Sequence, residues 1–491
     1  MKYLCVFFPV FFASIFSLPA QYTDKQYPVR VEPDVYYGTT LHYAGCPVDL
    51  FLDLYKPVNN DLCRPVLVLL HGGLFTRGSK TDPIIVQTAR DMAARGYVVA
   101  SANYRLGWHL TPQASGNCPP GDCWGAGLIP CSVYAADTAE PIRAAYRAMQ
   151  DTRGAIRFLK TRHALDSTNT RAVFVGGHDA GGIAALWTGF LDRSSERPAS
   201  TFAISNAPPP FNSPEKCPQG PNCPEASRAR PDLGSIDGEL HLSKSYDASV
   251  AGVLAFSGSI PALEWLENST QAPVLYLFHQ QCDHVVPCYP GRIMGSTGEC
   301  LTGCCPEPLC LPATGMPFVL GGGAIRDFLK EHPELNITRQ DDIVVNGPAI
   351  SPAFGCQHPN LGIPYCRNPN FEPCPDFLYN TGRMNYIAGF LNVHIPAPDC
   401  FSQVQAAEPE IIPAVKIWPN PVKNKVTVSI DPEEDNRLLK IEVLSLDGRS
   451  LETTVPGNTK QQEIVLSATP KGMVLLKIYT SRGLVLRKLA F

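Results

Sequence analysis

Arg171-Ala172-Val173-Phe174-Val175-Gly176-Gly177-His178-Asp179-Ala180-Gly181-Gly182 is the stretch around which the chain is organised. Ala172 to Val175 is a short apolar β run, and Gly176 and Gly177 break it. Gly181 and Gly182 then open the helix-like run Ile183 to Phe190, so the order is strand, tight turn, helix. The frame Gly177-His178-Asp179-Ala180-Gly181 has the form of a nucleophile elbow, G-x-S-x-G, whose glycines permit a strained turn that lifts one side chain above the end of a sheet. The residue at the tip is Asp179, where the motif has Ser, and no neighbouring Ser reaches the tip by a one-residue shift. A Gly-rich strand-to-helix turn is common by itself, so the rest of the chain must decide what this one means.

Upstream, Tyr36 to Tyr43 and Val48 to Tyr55 alternate like an opening β-hairpin. Val66 to Leu70 is an unbroken apolar run suited to a strand buried on both faces, and it ends in His71-Gly72-Gly73. Residues 84 to 95 have helical periodicity, Tyr97 to Ala102 is a second buried strand, and Glu140 to Thr161 is a long amphipathic helix. Such alternation predicts right-handed crossovers and a mostly parallel sheet. Downstream, residues 206 to 246 are rich in Pro, Ser and charge and read as a long loop or cap. Val250 to Ser257 and Pro273 to Phe278 are two more buried strands, the second followed by Asp283. A Cys-rich insertion to about Pro312, a helix over 323 to 332, a short strand at Asp342 to Val345 and a closing helix from Arg383 to Val393 complete a first domain ending near Cys400.

The chain has 491 residues, 44% of them apolar and 18% charged, enough for a large core and more than one folded unit. A net charge of −4 favours neither nucleic acid nor an anionic membrane. Residues 1 to 20 read as a secretory signal peptide, and no later stretch is long and apolar enough to span a bilayer. Of the 18 cysteines only Cys5 lies in that segment. In an exported chain most of the other 17 are expected to form disulfides, the odd total leaving at least one thiol unpaired or bridged between molecules, with no metal and no cofactor implied. Residues 401 to 414 form a linker, after which Cys is absent and short alternating strands at Val426 to Ile430, Leu439 to Leu446, Glu463 to Leu466 and Met473 to Tyr479 predict a small β-sandwich over 415–491.

The landmarks of residues 21–400 resemble the α/β-hydrolase fold, a doubly wound, mostly parallel sheet, and within it the carboxylesterase and lipase-like branch with a His-Gly-Gly loop. The matching residues are His71-Gly72-Gly73 with Phe75 and Gly78-Ser79-Lys80, Asn103-Tyr104-Arg105-Leu106-Gly107, Asp151 with Arg157-Phe158-Leu159, the elbow, and Asp283 with Val286-Pro287. The tail is similar to the C-terminal sorting domain of the type IX secretion pathway of gram-negative bacteria, through Trp418-Pro419-Asn420-Pro421, Asp447-Gly448-Arg449, Pro470-Lys471-Gly472, Gly483 and Lys488. That likeness implies the type IX machinery as a partner and a destination at the cell surface or outside.

For the site, the first resemblance implies an oxyanion hole of backbone N–H groups at Gly72, Gly73 and Leu74 with Ala180, a catalytic acid at Asp283, and a small-molecule ester-like substrate or ligand. The base must lie after Asp283 on a loop before the last helix, and His358 fits. His284 adjoins the acid in the chain, His332 lies at a helix end, and His394 ends the closing helix. Asp179 alters the chemistry. A carboxylate is the nucleophile in the haloalkane dehalogenases and epoxide hydrolases of this fold, but those branches lack the His-Gly-Gly loop, and carboxylate attack on an ester would give an anhydride. Three readings stay open: a hydrolase using Asp179 as nucleophile or as base for water, a pseudo-esterase that only binds, and a surface protein with the domain as scaffold. If the site is real, one His lies between Asp179 and Asp283, about 2.6–3.2 Å from the latter.

Overall fold

The unbroken apolar runs form the strands of one twisted sheet, and alternate residues along each strand belong to its two faces. The structure, a computed structural model, describes residues 22–109, 135–206, 228–242, 246–267, 272–281, 283, 285–294, 315–344 and 381–397 of a first compact unit ending at Cys400. It describes 415–418, 425–430, 437–444, 450–456, 459–465, 473–480 and 483–490 of a second unit that starts at Phe401.

In the first unit the chain runs through β1 (Val29–Leu41), β2 (Pro47–Pro57), β3 (Arg64–Leu70), α1 (Pro83–Ala94), β4 (Val98–Ala102), α2 (Ala139–Thr161), β5 (Thr168–His178), α3 (Ala180–Phe190) and β6 (Gly252–Phe256). It continues through β7 (Ser259–Ile260), β8 (Val274–Gln280), β9 (Gly291–Arg292), β10 (Phe318–Gly321), α4 (Gly322–Glu331), β11 (Arg339–Val344) and α5 (Thr381–Asn392). The main sheet has eight strands in the order β1-β2-β4-β3-β5-β6-β8-β11. β2 runs antiparallel to β1 and β4, and every pairing from β4 to β11 is parallel. This is the strand order of the α/β-hydrolase fold.

The period of two sorts the core. Val66, Val68, Leu70, Val173, Val175, Val253, Ala255, Leu275 and Leu277 pack with residues of α2, α3 and α4. Leu67, Leu69, Val99, Phe174, Leu254, Phe256, Tyr276 and Phe278 pack with residues of α1 and α5. Both faces are therefore covered, which explains why the central strands carry no polar alternation. At about 25 cal/mol per Å² of apolar surface, these two layers supply most of the drive to fold.

Two features differ from expectation. A small antiparallel sheet, β7-β10-β9, joins the segment after β6 to that after β8, with strands too short for a periodic signal. The segment expected as loop or cap, in its described parts and together with the residues just before and after it, is strapped along α2. Arg143 donates to the carbonyls of Ser200 and Phe202 at 3.0 Å each, and Gln150 to those of Leu233 and Ser235 at 2.7 Å. Tyr146 donates to Gly234 O at 2.9 Å, Arg157 to Leu240 O at 3.0 Å and Lys160 to Ser249 O at 2.9 Å. An irregular segment needs partners for its backbone carbonyls, and one helix face supplies them.

The second unit comprises β12 (Val415–Trp418), β13 (Lys425–Ile430), β14 (Leu438–Leu444), β15 (Ser450–Thr454), β16 (Gln461–Val465), β17 (Met473–Thr480) and β18 (Gly483–Ala490). They form sheets β12-β13-β16 and β15-β14-β17-β18. Val426, Val428 and Ile464 of one share a core with Ile441, Val443, Leu476 and Ile478 of the other, so the pair is a sandwich. β12, β15 and β18 are additions to the strands read from alternation.

Candidate active site

At the end of β5 the chain turns sharply, and Asp179 takes φ 53° and ψ −120°, a conformation that costs about 1–3 kcal/mol in a non-glycine residue. Its N–H donates to Phe256 O at 2.9 Å and Ile183 N–H donates to its carbonyl at 2.9 Å, which fixes the turn between β6 and α3. The flanking glycines are there for closeness. A Cβ on Gly181 would stand 2.2 Å from Leu70 O, and one on Gly177 would stand 2.6 Å from the same oxygen. The elbow predicted from sequence is present, with Asp179 as its tip.

Facing it, the loop after β3 has three consecutive residues with positive φ: Gly73 at 104°, Leu74 at 50° and Phe75 at 57°. Such a run turns successive N–H groups toward one point and makes an anion nest. Burial of Leu74 and Phe75, an edge contact between Phe75 and Tyr104, and the bond from Gly107 N–H to Phe75 O at 2.6 Å hold it in place. His71 adds a second restraint. Burial lowers its pKa to about 4, so it is neutral, and its Nδ1 lies 2.8 Å from Gly72 O. The ring stacks on Tyr104, whose hydroxyl donates to His71 O at 2.8 Å. The C=O and N–H of a trans peptide point in opposite directions, so drawing Gly72 O toward His71 turns Gly73 N–H toward the site. Gly72 thus serves through its carbonyl and its missing side chain, since a Cβ there would meet His178 Nε2 at 2.6 Å.

The nest is filled by the protein itself. Asp179 Oδ2 accepts Gly73 N–H at 2.9 Å and Leu74 N–H at 3.1 Å, and Ala180 N–H also bonds this carboxylate. The second oxygen, Oδ1, is buried with no partner among the described residues. Burial raises the Asp179 pKa, while the three backbone donors and the charge of Arg77 oppose the rise.

Asp283 follows β8, separated from the elbow strand by β6 alone. Its Oδ1 accepts Val285 N–H at 2.9 Å and Val286 N–H at 3.0 Å, and the Ser257 hydroxyl bonds the same carboxyl group. Its pKa is pushed up to about 7, chiefly by burial, with the charge of Asp179 acting in the same direction. The two carboxylates therefore feel each other across the end of the sheet.

His279 Nε2 lies 3.6 Å from Asp283 Oδ2, but no ion pair forms. Burial lowers the His279 pKa to about 4; Nε2 is 2.9 Å from Val286 O, and Nδ1 accepts Gly322 N–H at 3.0 Å. His332 bonds Glu334, and His394 bonds Phe390 O. His358 and His284 lie outside the described residues. By sequence His358 is the one histidine between β11 and α5, on the connection that leaves the strand next to β8.

Ser257 and the side chains of His71 and Tyr104 were not singled out by sequence reasoning. Tyr104 stood inside a quoted landmark, but nothing in its neighbours reports where its hydroxyl goes. Two other landmarks are structural: Arg105 Nε donates to Asp151 at 2.9 Å in a buried pair, and Lys80 pairs with Asp53 at 2.6 Å. Among the described cysteines, Cys46 and Cys63 are disulfide-bonded and Cys288 is a buried thiol. The group with metal-ligand spacing among the described residues, Asp192, Glu196 and Glu267, lacks His and Cys, and Arg193 pairs with Glu267. No helix among the described residues is long and apolar enough to cross a membrane.

Comparison with known proteins places two family models on the chain. Residues 416–490 match the secretion system C-terminal sorting domain, which indicates export to the cell surface or outside through type IX secretion. Residues 52–114, which contain the His-Gly-Gly loop, match the esterase-like BD-FAE family. The neuroligin-like protein glit-1 of Caenorhabditis elegans is 30% identical over 166 residues, 33% of this chain, and the match spans 17% of that relative's length. Among solved structures, Thermogutta terrifontis esterase 2 phosphoramylated by tabun is 15% identical with a TM-score of 0.38, over 76% of this chain and 96% of that one. A truncated carbohydrate esterase from gut microbiota is 11% identical with a TM-score of 0.37, over 76% and 98%. Likenesses of that size leave the fold to be argued from the strand order itself.

Proposed function

We propose that the exported α/β-hydrolase domain is a hydrolase that uses the Asp179 carboxylate as nucleophile on a saturated carbon bearing a leaving group, as in an epoxide or a haloalkane. The observation that carries this reading is the division of labour between the two oxygens: Oδ2 sits in the nest, and Oδ1 is bare. In the first step Oδ1 forms a C–O bond to the substrate carbon, the bond to the leaving group breaks with its electron pair, and Asp179 becomes an alkyl ester. In the second step His358, oriented by Asp283, takes a proton from water, and the hydroxide adds to the Asp179 side-chain carbonyl carbon. The negative charge then falls on Oδ2, which already accepts the N–H groups of Gly73 and Leu74, with Ala180 N–H bonding the same carboxyl group. Collapse expels the ester oxygen as an alkoxide that takes back the proton held by His358, and the new carboxyl group gives its proton to solvent. A haloalkane plus water thus gives alcohol, halide and a proton, and an epoxide plus water gives a diol. Alkylation also removes the charge of Asp179, which had raised the Asp283 pKa, and so favours the ionised acid that orients His358 when water must be activated.

An ester substrate is disfavoured, because its oxyanion would need the nest that Asp179 occupies. The same occupancy favours, as a second reading, a domain that only binds a ligand. The two separate in a trapping experiment on the full chain carrying His358→Ala, exposed to a panel of epoxides and haloalkanes. Intact mass and peptide mapping should reveal an alkyl adduct on Asp179 that hydroxylamine releases. No adduct with any member, while the variant stays folded, supports the binding reading.

A further inference from the structure

We infer that Ser257 is a positioning residue of this site: its hydroxyl, donated to the Asp283 carboxylate across the end of the sheet, keeps that group oriented as the acid. The inference deepens the reading above and rests on it for the role of Asp283. Ser257 directly follows β6, and its N–H donates to Phe278 O at 2.8 Å, while Asp179 N–H donates to Phe256 O from the other side. It therefore stands between the two strand ends that carry the carboxylates. Its φ is 50°, a left-handed conformation that costs a serine about 1–2 kcal/mol and a glycine almost nothing. What serine adds at this point is the hydroxyl, and the hydroxyl bonds Asp283.

The other groups facing Asp283 leave that donor a distinct task. Val285 and Val286 N–H both bond Oδ1. His279, on β8, is neutral with both ring nitrogens engaged. From the elbow, Asp179 opposes the charge of Asp283, and the buried Cys288 thiol on the acid's own loop feels that charge in turn. Burial and Asp179 push the acid up to about 7 against the two N–H groups and the Ser257 hydroxyl, so loss of the hydroxyl changes how much of it is charged near neutral pH.

The test compares Ser257→Gly and Ser257→Asn with the wild type in the full chain. Glycine keeps the backbone and removes the donor; asparagine tolerates positive φ and restores one. A group whose folded pKa lies above its ordinary 3.8 destabilises the fold increasingly as pH rises from that value through the folded one. Removing the donor raises the folded value further. Ser257→Gly should therefore match or exceed wild-type thermal stability at pH 4 and fall behind it at pH 8 by about 2 °C or more. The gap should close in Ser257→Asn and vanish in an Asp283→Asn background. The acidic limb of any turnover should move up by about one pH unit, the size expected from one hydrogen bond to a charged group. A gap that is equal at every pH, or that survives Asp283→Asn, overturns the inference. The melts need no substrate, so a failure of the alkyl-ester chemistry leaves this result readable.

Discussion

Asp179→Asn should lose turnover of an epoxide or haloalkane by a factor on the order of 10³ or more, with no loss of thermal stability. The asparagine oxygen can still accept the N–H groups of Gly73 and Leu74, and asparagine tolerates the positive φ of the elbow, so the loop stays in place. What is lost is the anionic Oδ1, and an amide is no nucleophile at neutral pH. Stability should hold or rise at pH 7 and above, because burial raises the Asp179 pKa, and removal of a carboxyl group with a raised pKa relieves a cost that appears as pH climbs. Asp179→Ser should shift the chemistry instead. It empties the nest, places a hydroxyl at the tip and should confer hydrolysis of small esters while abolishing that of haloalkanes. Steady-state rates on a mixed panel, with melts as the folding control, check both. Undiminished haloalkane or epoxide turnover in Asp179→Asn would remove the aspartate from the mechanism.

Lys80→Met should destabilise the first domain by about 3–5 kcal/mol. The Lys80 ammonium is buried, 2.6 Å from the buried Asp53 and 2.9 Å from Asp34. Its N–H donates to Asn103 Oδ1 at 2.6 Å, and its carbonyl accepts Ser101 Oγ at 2.6 Å. It thus ties the far end of the His-Gly-Gly loop to β2 and β4. Removing the cation leaves Asp53 buried without its counter-charge, whereas Lys80→Met with Asp53→Leu removes both charges and should recover part of the loss. Denaturant melts of the two variants give the comparison. A loss below about 1 kcal/mol would mean that water reaches the pair and that the loop is held elsewhere.

The sheet was legible because β3, β4, β5, β6 and β8 are buried on both faces and read as unbroken apolar runs, while α1 and α2 show helical spacing. β7 and β9, with two residues each, carry too little pattern to be seen, and the edge strands β12, β15 and β18 of the tail were not read from alternation. In the site, residue types and order pointed to Asp179, Asp283 and the glycine loop. Where the Asp179 carboxylate would lie depended on two backbone angles at the elbow and on three consecutive positive φ values across from it. Ser257 was missed for a related reason, since its left-handed backbone follows from the strands on either side and leaves no mark in its neighbours.

The central claim is that the oxygen delivered to the product comes from Asp179. Multiple turnovers in water enriched in ¹⁸O, followed by mass analysis of the peptide containing Asp179, test it directly. The alkyl-ester route predicts that the Asp179 carboxylate acquires ¹⁸O and that the first product molecule released carries ordinary oxygen. Heavy oxygen in the first product with an unlabelled Asp179 would mean that water attacks the substrate itself and would contradict the account.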